Sequence, residues 1–109
     1  YQGKTLLDKS SIEAMLEFQF TAINKPKNVE LNEKNSGIFW STKNNVSRIG
    51  HGGSDPGLKT EMLASMDKSL GVILFTNTSL NAKEMRPYVQ IFNELWAYGE
   101  ELKTKSSNR

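Results

Sequence analysis

The sequence is 109 residues long, 37% hydrophobic and 24% charged, with a formal net charge of +2. This length suits one globular domain or part of a larger one, and the scattered basic residues do not favour nucleic acid as a partner. With no cysteine and one histidine, the composition excludes disulfides and thiol chemistry, and we expect neither a metal site nor a cofactor. The sequence contains no run of about 18 apolar residues, so no membrane span is predicted. The chain starts with Tyr1 and shows no signal peptide, which indicates a processed protein or an excised piece.

The N-terminal third predicts one short helix and a long connection. Ser10 and Glu13 are spaced as a capping box, in which each side chain accepts from the other residue's backbone amide. Apolar residues follow at helical spacing, so we expect a helix over about 11–19. Asparagines and Pro26 interrupt the polar stretch 21–35, which predicts a surface connection.

Four strands and a final helix are predicted in the remainder of the chain. Runs of strand-forming and apolar residues, separated by turn residues, place the strands at about 36–42, 46–52, 58–66 and 70–77. In the third of these, Thr60, Met62, Ala64 and Met66 share one face. The connections are short, so the strands form an antiparallel meander. Pro87 is tolerated only near a helix start, which predicts a helix over about 86–101. Its apolar face, which we expect to pack on the sheet, consists of Tyr88, Ile91, Phe92, Leu95 and Trp96. The fold class is therefore α+β.

The stretch Gly50-His51-Gly52-Gly53-Ser54-Asp55-Pro56-Gly57 holds four of the eight glycines and the only histidine. Glycine lets other groups approach the backbone closely, and Asp-Pro-Gly is typical of a tight turn. We expect a strand that ends in an open ledge of backbone and then turns back. The glycines fit neither the dinucleotide pattern nor the P-loop, which argues against a phosphate cradle. Taken alone, a single histidine in such a stretch is more often structural or solvated than catalytic.

Four segments in this order resemble the C-terminal part of the serine β-lactamase and D-alanyl-D-alanine carboxypeptidase superfamily, in its class C-like branch. That branch includes penicillin-binding proteins and related esterases. The resemblance covers nearly the whole chain, and four segments carry it. They are Leu6-Leu7-Asp8 with the helix to Met15, Gly37-Ile38-Phe39-Trp40, the stretch 50–57, and Leu70-Gly71-Val72-Ile73-Leu74-Phe75-Thr76-Asn77.

The resemblance implies part of a β-lactamase/transpeptidase-like fold and acyl transfer on D-Ala-D-Ala peptides, β-lactams or esters. His51-Gly52-Gly53 stands in the place of the family's Lys-Thr-Gly motif, on a strand that lines the active site. By this match, His51 and Ser54 are the candidate catalytic residues. His51 would contact the substrate carboxylate or assist proton transfer, and the Ser54 amide would donate to an oxyanion. Gly52 and Gly53 would bind substrate with them. The resemblance also implies a periplasmic or cell-envelope location in bacteria.

Two of the family's motifs are missing from this sequence. Ser65-Met66-Asp67-Lys68 spells the nucleophile motif Ser-x-x-Lys, but it crosses a predicted strand end rather than opening a helix, so we interpret it as a chance match. No Tyr-x-Asn occurs. We therefore expect an N-terminal part of the same domain to supply the nucleophile and general base, and the chain alone to be inactive. The alternative is a free-standing, non-catalytic module that binds a peptide or a cell-wall fragment.

The predicted strand 70–77 is apolar on both faces, which is typical of a central strand, yet it is the last strand of the meander. In the family, an N-terminal strand occupies the neighbouring place. An open apolar edge is a template for another chain. The sequence therefore predicts a homodimer joined along this strand, unless the final helix or the N-terminal segment folds over the edge.

Overall fold

The computed structural model describes residues 3–107, which form an α+β fold with a four-stranded antiparallel sheet. The strand order is the chain order, β1-β2-β3-β4, so the predicted meander is confirmed. The chain divides between Ile49 and Gly50 into two compact units. The elements are α1 (Lys9–Leu16), β1 (Ser41–Lys43), β2 (Arg48–Asp55), β3 (Leu58–Ser65), β4 (Gly71–Thr76) and α2 (Ala82–Ser107).

The first helix begins two residues before the predicted start, because Asp8 and not Ser10 caps it. The Asp8 carboxylate accepts from the Ser11 amide at 2.8 Å and from the Ser10 hydroxyl at 2.7 Å. The predicted pairing of Ser10 with Glu13 was therefore wrong. The helix also ends at Leu16 instead of residue 19, with extended backbone at Glu17, and it contains no buried residue.

The connection after α1 is organised by Asn35, which is 4% exposed. Its side-chain amide donates to the Phe20 carbonyl at 3.0 Å, and its side-chain oxygen accepts from the Phe20 amide at 3.2 Å. Its backbone amide donates to the Thr42 hydroxyl at 2.7 Å. A buried amide with these bonds satisfied holds the two ends of the stretch together, although the sequence predicted only a surface connection there.

The predicted strand at 36–42 was largely wrong. Only Ser41–Lys43 is extended, and Ser36 forms an isolated bridge with Ser41. Between them the chain turns: Phe39 has a φ of 65°, and the Gly37 amide donates to the Trp40 carbonyl at 2.8 Å. The high strand propensity of this aromatic run was therefore overridden by a turn.

The second strand is shifted relative to the predicted 46–52. It starts at Arg48 because Asn44, Asn45 and Val46 all have positive φ and continue the turn. It ends at Asp55, so the glycine stretch lies within the strand and not on a ledge beyond it. Pro56 and Gly57, the latter at φ 78°, then form a two-residue turn into β3.

The sheet is covered on one face by the second helix. In the register of β3 and β4, Leu63 lies opposite Val72 and Met62 lies opposite Ile73. Because side chains alternate along a strand, these two pairs lie on opposite faces. Leu63 and Val72 form a buried cluster with Phe92 of α2, and three half-buried residues pack against it: Leu70, Leu74 and Trp96.

The second helix runs over Ala82–Ser107, longer at both ends than the predicted 86–101. It starts early because the Asn81 side chain accepts from the Lys83 and Glu84 amides, while Glu84 accepts from the Asn81 amide. Pro87 therefore lies inside the helix. Gly99 lies within the helix and does not end it. A Cβ there would lie 2.5 Å from the Leu70 side chain, so glycine permits close packing at this point.

Candidate functional site

The residues of the predicted site, His51 to Ser54, follow one another on β2. A Cβ built at Gly50 would approach the Leu63 side chain to 2.8 Å, and one at Gly52 would approach the Glu61 carboxylate to 2.9 Å. Leu63 lies on the face that α2 covers. His51, which alternates with these two glycines, therefore lies on the opposite, open face of the sheet. Its side chain is exposed.

The packing of β2 on β3 leaves different amounts of room at the glycines around His51. A Cβ at Gly50 would collide with the Met62 carbonyl oxygen and lie 2.9 Å from the Leu63 Cα. Both are backbone atoms, so nothing can rotate out of the way. At Gly53 the nearest atom is the Thr60 hydroxyl, at 2.9 Å, which can rotate. Close strand packing therefore explains Gly50, while at Gly53 the Thr60 hydroxyl can rotate away from an added side chain.

The position of the Ser54 amide follows from the hairpin. In a hairpin closed by a two-residue turn, Asp55 and Leu58 form the hydrogen-bonded closing pair. The N–H groups of alternate residues then point away from β3, and Ser54 is the first of these. Its N–H is directed away from the neighbouring strand, as a donor to a bound oxyanion has to be.

The surroundings of His51 on the open face are apolar. The turn register places Met62 opposite His51, and Ile73 lies opposite Met62 on the next strand. Ile73 and Phe75 are 58% and 69% exposed. Within residues 3–107, the His51 imidazole makes no hydrogen bond or ion pair, so it is available to a ligand. The arrangement provides a proton donor or acceptor beside an apolar platform, with no nucleophile bonded to it.

Ser65 and Lys68 lie where the sequence placed them, at the end of β3 and in the turn after it. The Ser65 hydroxyl donates to Asp67 and accepts from the Leu70 amide at 3.1 Å. Lys68 has a φ of 62°, as the turn requires. The serine hydroxyl is thus engaged in holding the turn, which is a structural role.

Asp67 is the centre of a polar cluster that also contains Ser65, Ser69 and Lys103. The Ser69 hydroxyl donates to Asp67 at 2.6 Å, and the Lys103 ammonium donates to it at 3.1 Å. Hydrogen bonds from Ser65 and Ser69, with a smaller effect of Lys103, hold the pKa of the Asp67 carboxyl far below its usual range. The sequence analysis did not identify this cluster, because Lys103 is 36 residues from Asp67.

A second feature that the sequence analysis missed lies under α2. The Tyr88 hydroxyl and one Glu61 oxygen are buried, and neither has a hydrogen-bond partner in the described structure. Burial, together with the nearby Glu61 carboxylate, raises the pKa of Tyr88. Apolar spacing alone predicted that residue 88 packs on the sheet, but not that a carboxylate lies nearby.

The described acidic residues and histidine form no group of three that could hold a metal ion. None of the described helices is long and apolar enough to cross a membrane. Comparison of the chain with protein-family models, with curated proteins and with solved structures finds no match.

Proposed function

We propose that this chain is the C-terminal part of a serine hydrolase of the β-lactamase and D-alanyl-D-alanine carboxypeptidase type. The parent protein would catalyse acyl transfer on D-Ala-D-Ala peptides, β-lactams or esters, in the periplasm or cell envelope. One observation carries the proposal: His51, Gly52, Gly53 and Ser54 follow one another on a strand, with His51 exposed on the face that α2 leaves open.

The roles of these residues follow from their chemistry. His51 binds the substrate carboxylate or transfers a proton, since its imidazole has no structural partner among the described residues. The Ser54 N–H donates to the oxyanion of the tetrahedral intermediate. Gly52 and Gly53 carry no side chain that would prevent an acyl group from lying along the strand.

The nucleophile and general base come from chain outside this sequence, from the N-terminal part of the same domain. The polar cluster around Asp67 supports this division, since it commits the Ser65 hydroxyl to the turn. The 109-residue chain is then not catalytically competent alone. If it were instead a free-standing binding module, it would bind a peptide or a cell-wall fragment without any turnover.

The test uses the parent protein with its Ser-x-x-Lys segment, assayed on a chromogenic cephalosporin, a nitrophenyl ester and an acylated D-Ala-D-Ala peptide. We expect His51→Ala to lower kcat/KM by about a hundredfold with little change in melting temperature. Ser54→Pro, which removes the N–H, should lower kcat by about a hundredfold. Ser54→Ala is the matched control, because it keeps the N–H and should retain activity.

Two results would contradict the proposal. One is a parent protein that forms no acyl-enzyme and hydrolyses none of the three substrates. The other is a covalent adduct of fluorescent penicillin on the 109-residue chain, mapped to Ser65, which would place the nucleophile inside this sequence.

A further inference from the structure

A groove lies between the outer edge of β4 and the C-terminal half of α2. It has a volume of about 630 Å³. The backbone of Gly71, Val72 and Ile73 forms one side, and Leu95, Tyr98 and Leu102 of α2 form the other. β4 is the last strand of the sheet, so no described strand lies along this side of the groove.

The outer edge of β4 presents free hydrogen-bonding groups at alternate residues. The Ser65 amide donates to the Leu70 carbonyl at 2.9 Å, which makes this a hydrogen-bonded pair. In an antiparallel ladder such pairs alternate, so Val72 and Leu74 bond to β3 through their backbones. The N–H and C=O groups of Gly71, Ile73 and Phe75 therefore point outward, away from the sheet. An edge of this kind is a template for an added strand.

The helix adds an apolar stripe beside this edge. Ile91, Leu95, Tyr98 and Leu102 recur at intervals of three and four residues, so they lie along one side of α2. Their exposed fractions are 51%, 39%, 58% and 47%. The side of the helix that carries Phe92, about a quarter of a turn away, already packs on the sheet. The stripe is therefore a second apolar surface of the helix, left without a partner among the described residues.

We propose that, in the 109-residue chain by itself, a second copy covers the groove, with the two β4 strands paired antiparallel about a two-fold axis. In the parent domain of the proposed function, an N-terminal strand of the same polypeptide would take this place. The outward groups of Ile73 then pair with those of Ile73 in the second copy. In this register Phe75 lies across from Gly71 of the second copy, where the aromatic ring covers a residue with no side chain. The two sheets join into one of eight strands.

Two observations favour a second copy over an unrelated chain. β4 contains no charged residue, so self-pairing brings no like charges together. The two-fold axis also leaves both α2 helices on the same face of the joined sheet, where the apolar stripe of one meets that of the other. Interfaces of this kind are isologous, since one patch serves both copies.

The exposed area is large enough for a stable dimer. Ile73 and the four stripe residues are each about half exposed. An aromatic side chain buries roughly 150–250 Å² in full and an aliphatic one about 100 Å², so these five supply on the order of 300 Å² per copy. With the backbone edge and Phe75, the total over both copies reaches about the 1,000 Å² that a specific interface needs.

The first test is sedimentation equilibrium of the 109-residue chain at micromolar concentration, where we expect a dimer. Ile73→Lys places a charge on the joined edge and should raise the dimer Kd at least about tenfold, with the circular dichroism of the chain retained. Phe39→Lys is the matched control: it is an exposed apolar position remote from β4 in sequence, 83% exposed, and it should leave the dimer intact.

The second test determines the register by cysteine cross-linking. Introduced cysteines can be followed one at a time because the wild-type chain has no cysteine. Ile73→Cys should form a disulfide-linked dimer on mild oxidation, because Cα atoms of such a pair are about 5.5 Å apart. Met62→Cys lies one strand further in on each copy, about 14 Å from its counterpart, and should not cross-link.

A wild-type chain that is monomeric at 100 μM would overturn the proposal. In a monomer, protection of the Ile73→Cys thiol from reagents would show that another segment of the polypeptide covers the groove. A dimer insensitive to Ile73→Lys, or one in which Met62→Cys cross-links as well as Ile73→Cys, would equally exclude pairing through β4.

Discussion

The two faces of β3 and β4 have similar sequences but different surroundings. On one face Leu63 and Val72 are 5% and 8% exposed beneath α2, and on the other Met62 and Ile73 are 37% and 58% exposed. Adjacent residues of the same strand therefore differ in whether a helix covers them. Apolar residues on both faces of a strand indicate that each face avoids water when another element packs on it. They do not indicate which element packs on which face.

The largest expected difference between the faces comes from truncating neighbouring residues on β3. Leu63→Ala removes a buried side chain from the cluster with Phe92 and should lower the free energy of unfolding by about 2–5 kcal/mol. Met62→Ala, on the open face, should cost about 1 kcal/mol or less. Urea denaturation of both variants measures the difference. Equal losses would show that the open face is also covered.

Substitution of the glycines of β2 by alanine should also destabilise the chain to different extents on the two faces. Gly50→Ala places a methyl group against backbone atoms of Met62 and Leu63, so we expect a loss of roughly 1–3 kcal/mol. Gly53→Ala meets only the rotatable Thr60 hydroxyl and should be nearly neutral. The melting temperatures of the two variants measure the difference. A neutral Gly50→Ala would contradict the close approach of β2 to β3.

The smallest expected effect is at Tyr88, a buried polar residue on the covered face. Tyr88→Phe removes a hydroxyl with no partner, so stability should rise by about 1 kcal/mol. The raised pKa of Tyr88 means that the folded chain holds its phenolic proton more tightly than the unfolded chain. The resulting contribution to the free energy of unfolding is complete below pH 10. It is lost as the pH rises through the pKa of Tyr88 in the folded chain.

Denaturant melts at pH 7 and above pH 10 test both effects at Tyr88. Tyr88→Phe should lose less stability than the wild type at the alkaline pH. Tyr98→Phe, at a position 58% exposed, is the control and should leave stability unchanged at pH 7. A destabilised Tyr88→Phe would indicate that the hydroxyl bonds to Glu61 after all.

Local patterns predicted the type and order of the elements well. Turn residues such as Pro56-Gly57 and runs of strand-forming and apolar residues depend on neighbours in the sequence, so the meander could be derived from them. The final helix was also predictable, from the spacing of Tyr88, Ile91, Phe92, Leu95 and Trp96. Two of these residues do not pack on the sheet as predicted, since Ile91 and Leu95 are 51% and 39% exposed. The first turn of the helix was missed because the Pro87 rule was applied without the Asn81 cap.

The failures came from contacts between distant residues. The aromatic run 38–40 has strand propensity, but the Ile38 amide donates to the Met15 carbonyl at 2.9 Å, and the chain turns there. The glycines near His51 were interpreted as an open ledge, whereas Gly50 is required by Leu63 and Met62 on the next strand. The residue types of the candidate site could be read from the sequence. Their position within β2 depends on the pairing of β2 with β3, which local spacing does not determine.

The cluster around Asp67 has a consequence for the order in which the chain folds. The turn between β3 and β4 brings together residues only a few positions apart, so this hairpin can form within microseconds. Lys103 reaches Asp67 across 36 residues, and that contact can form only after the helix has docked. The ion pair is exposed, so salt screens it. Raising the ionic strength should therefore act on the last step of folding and leave the first unchanged.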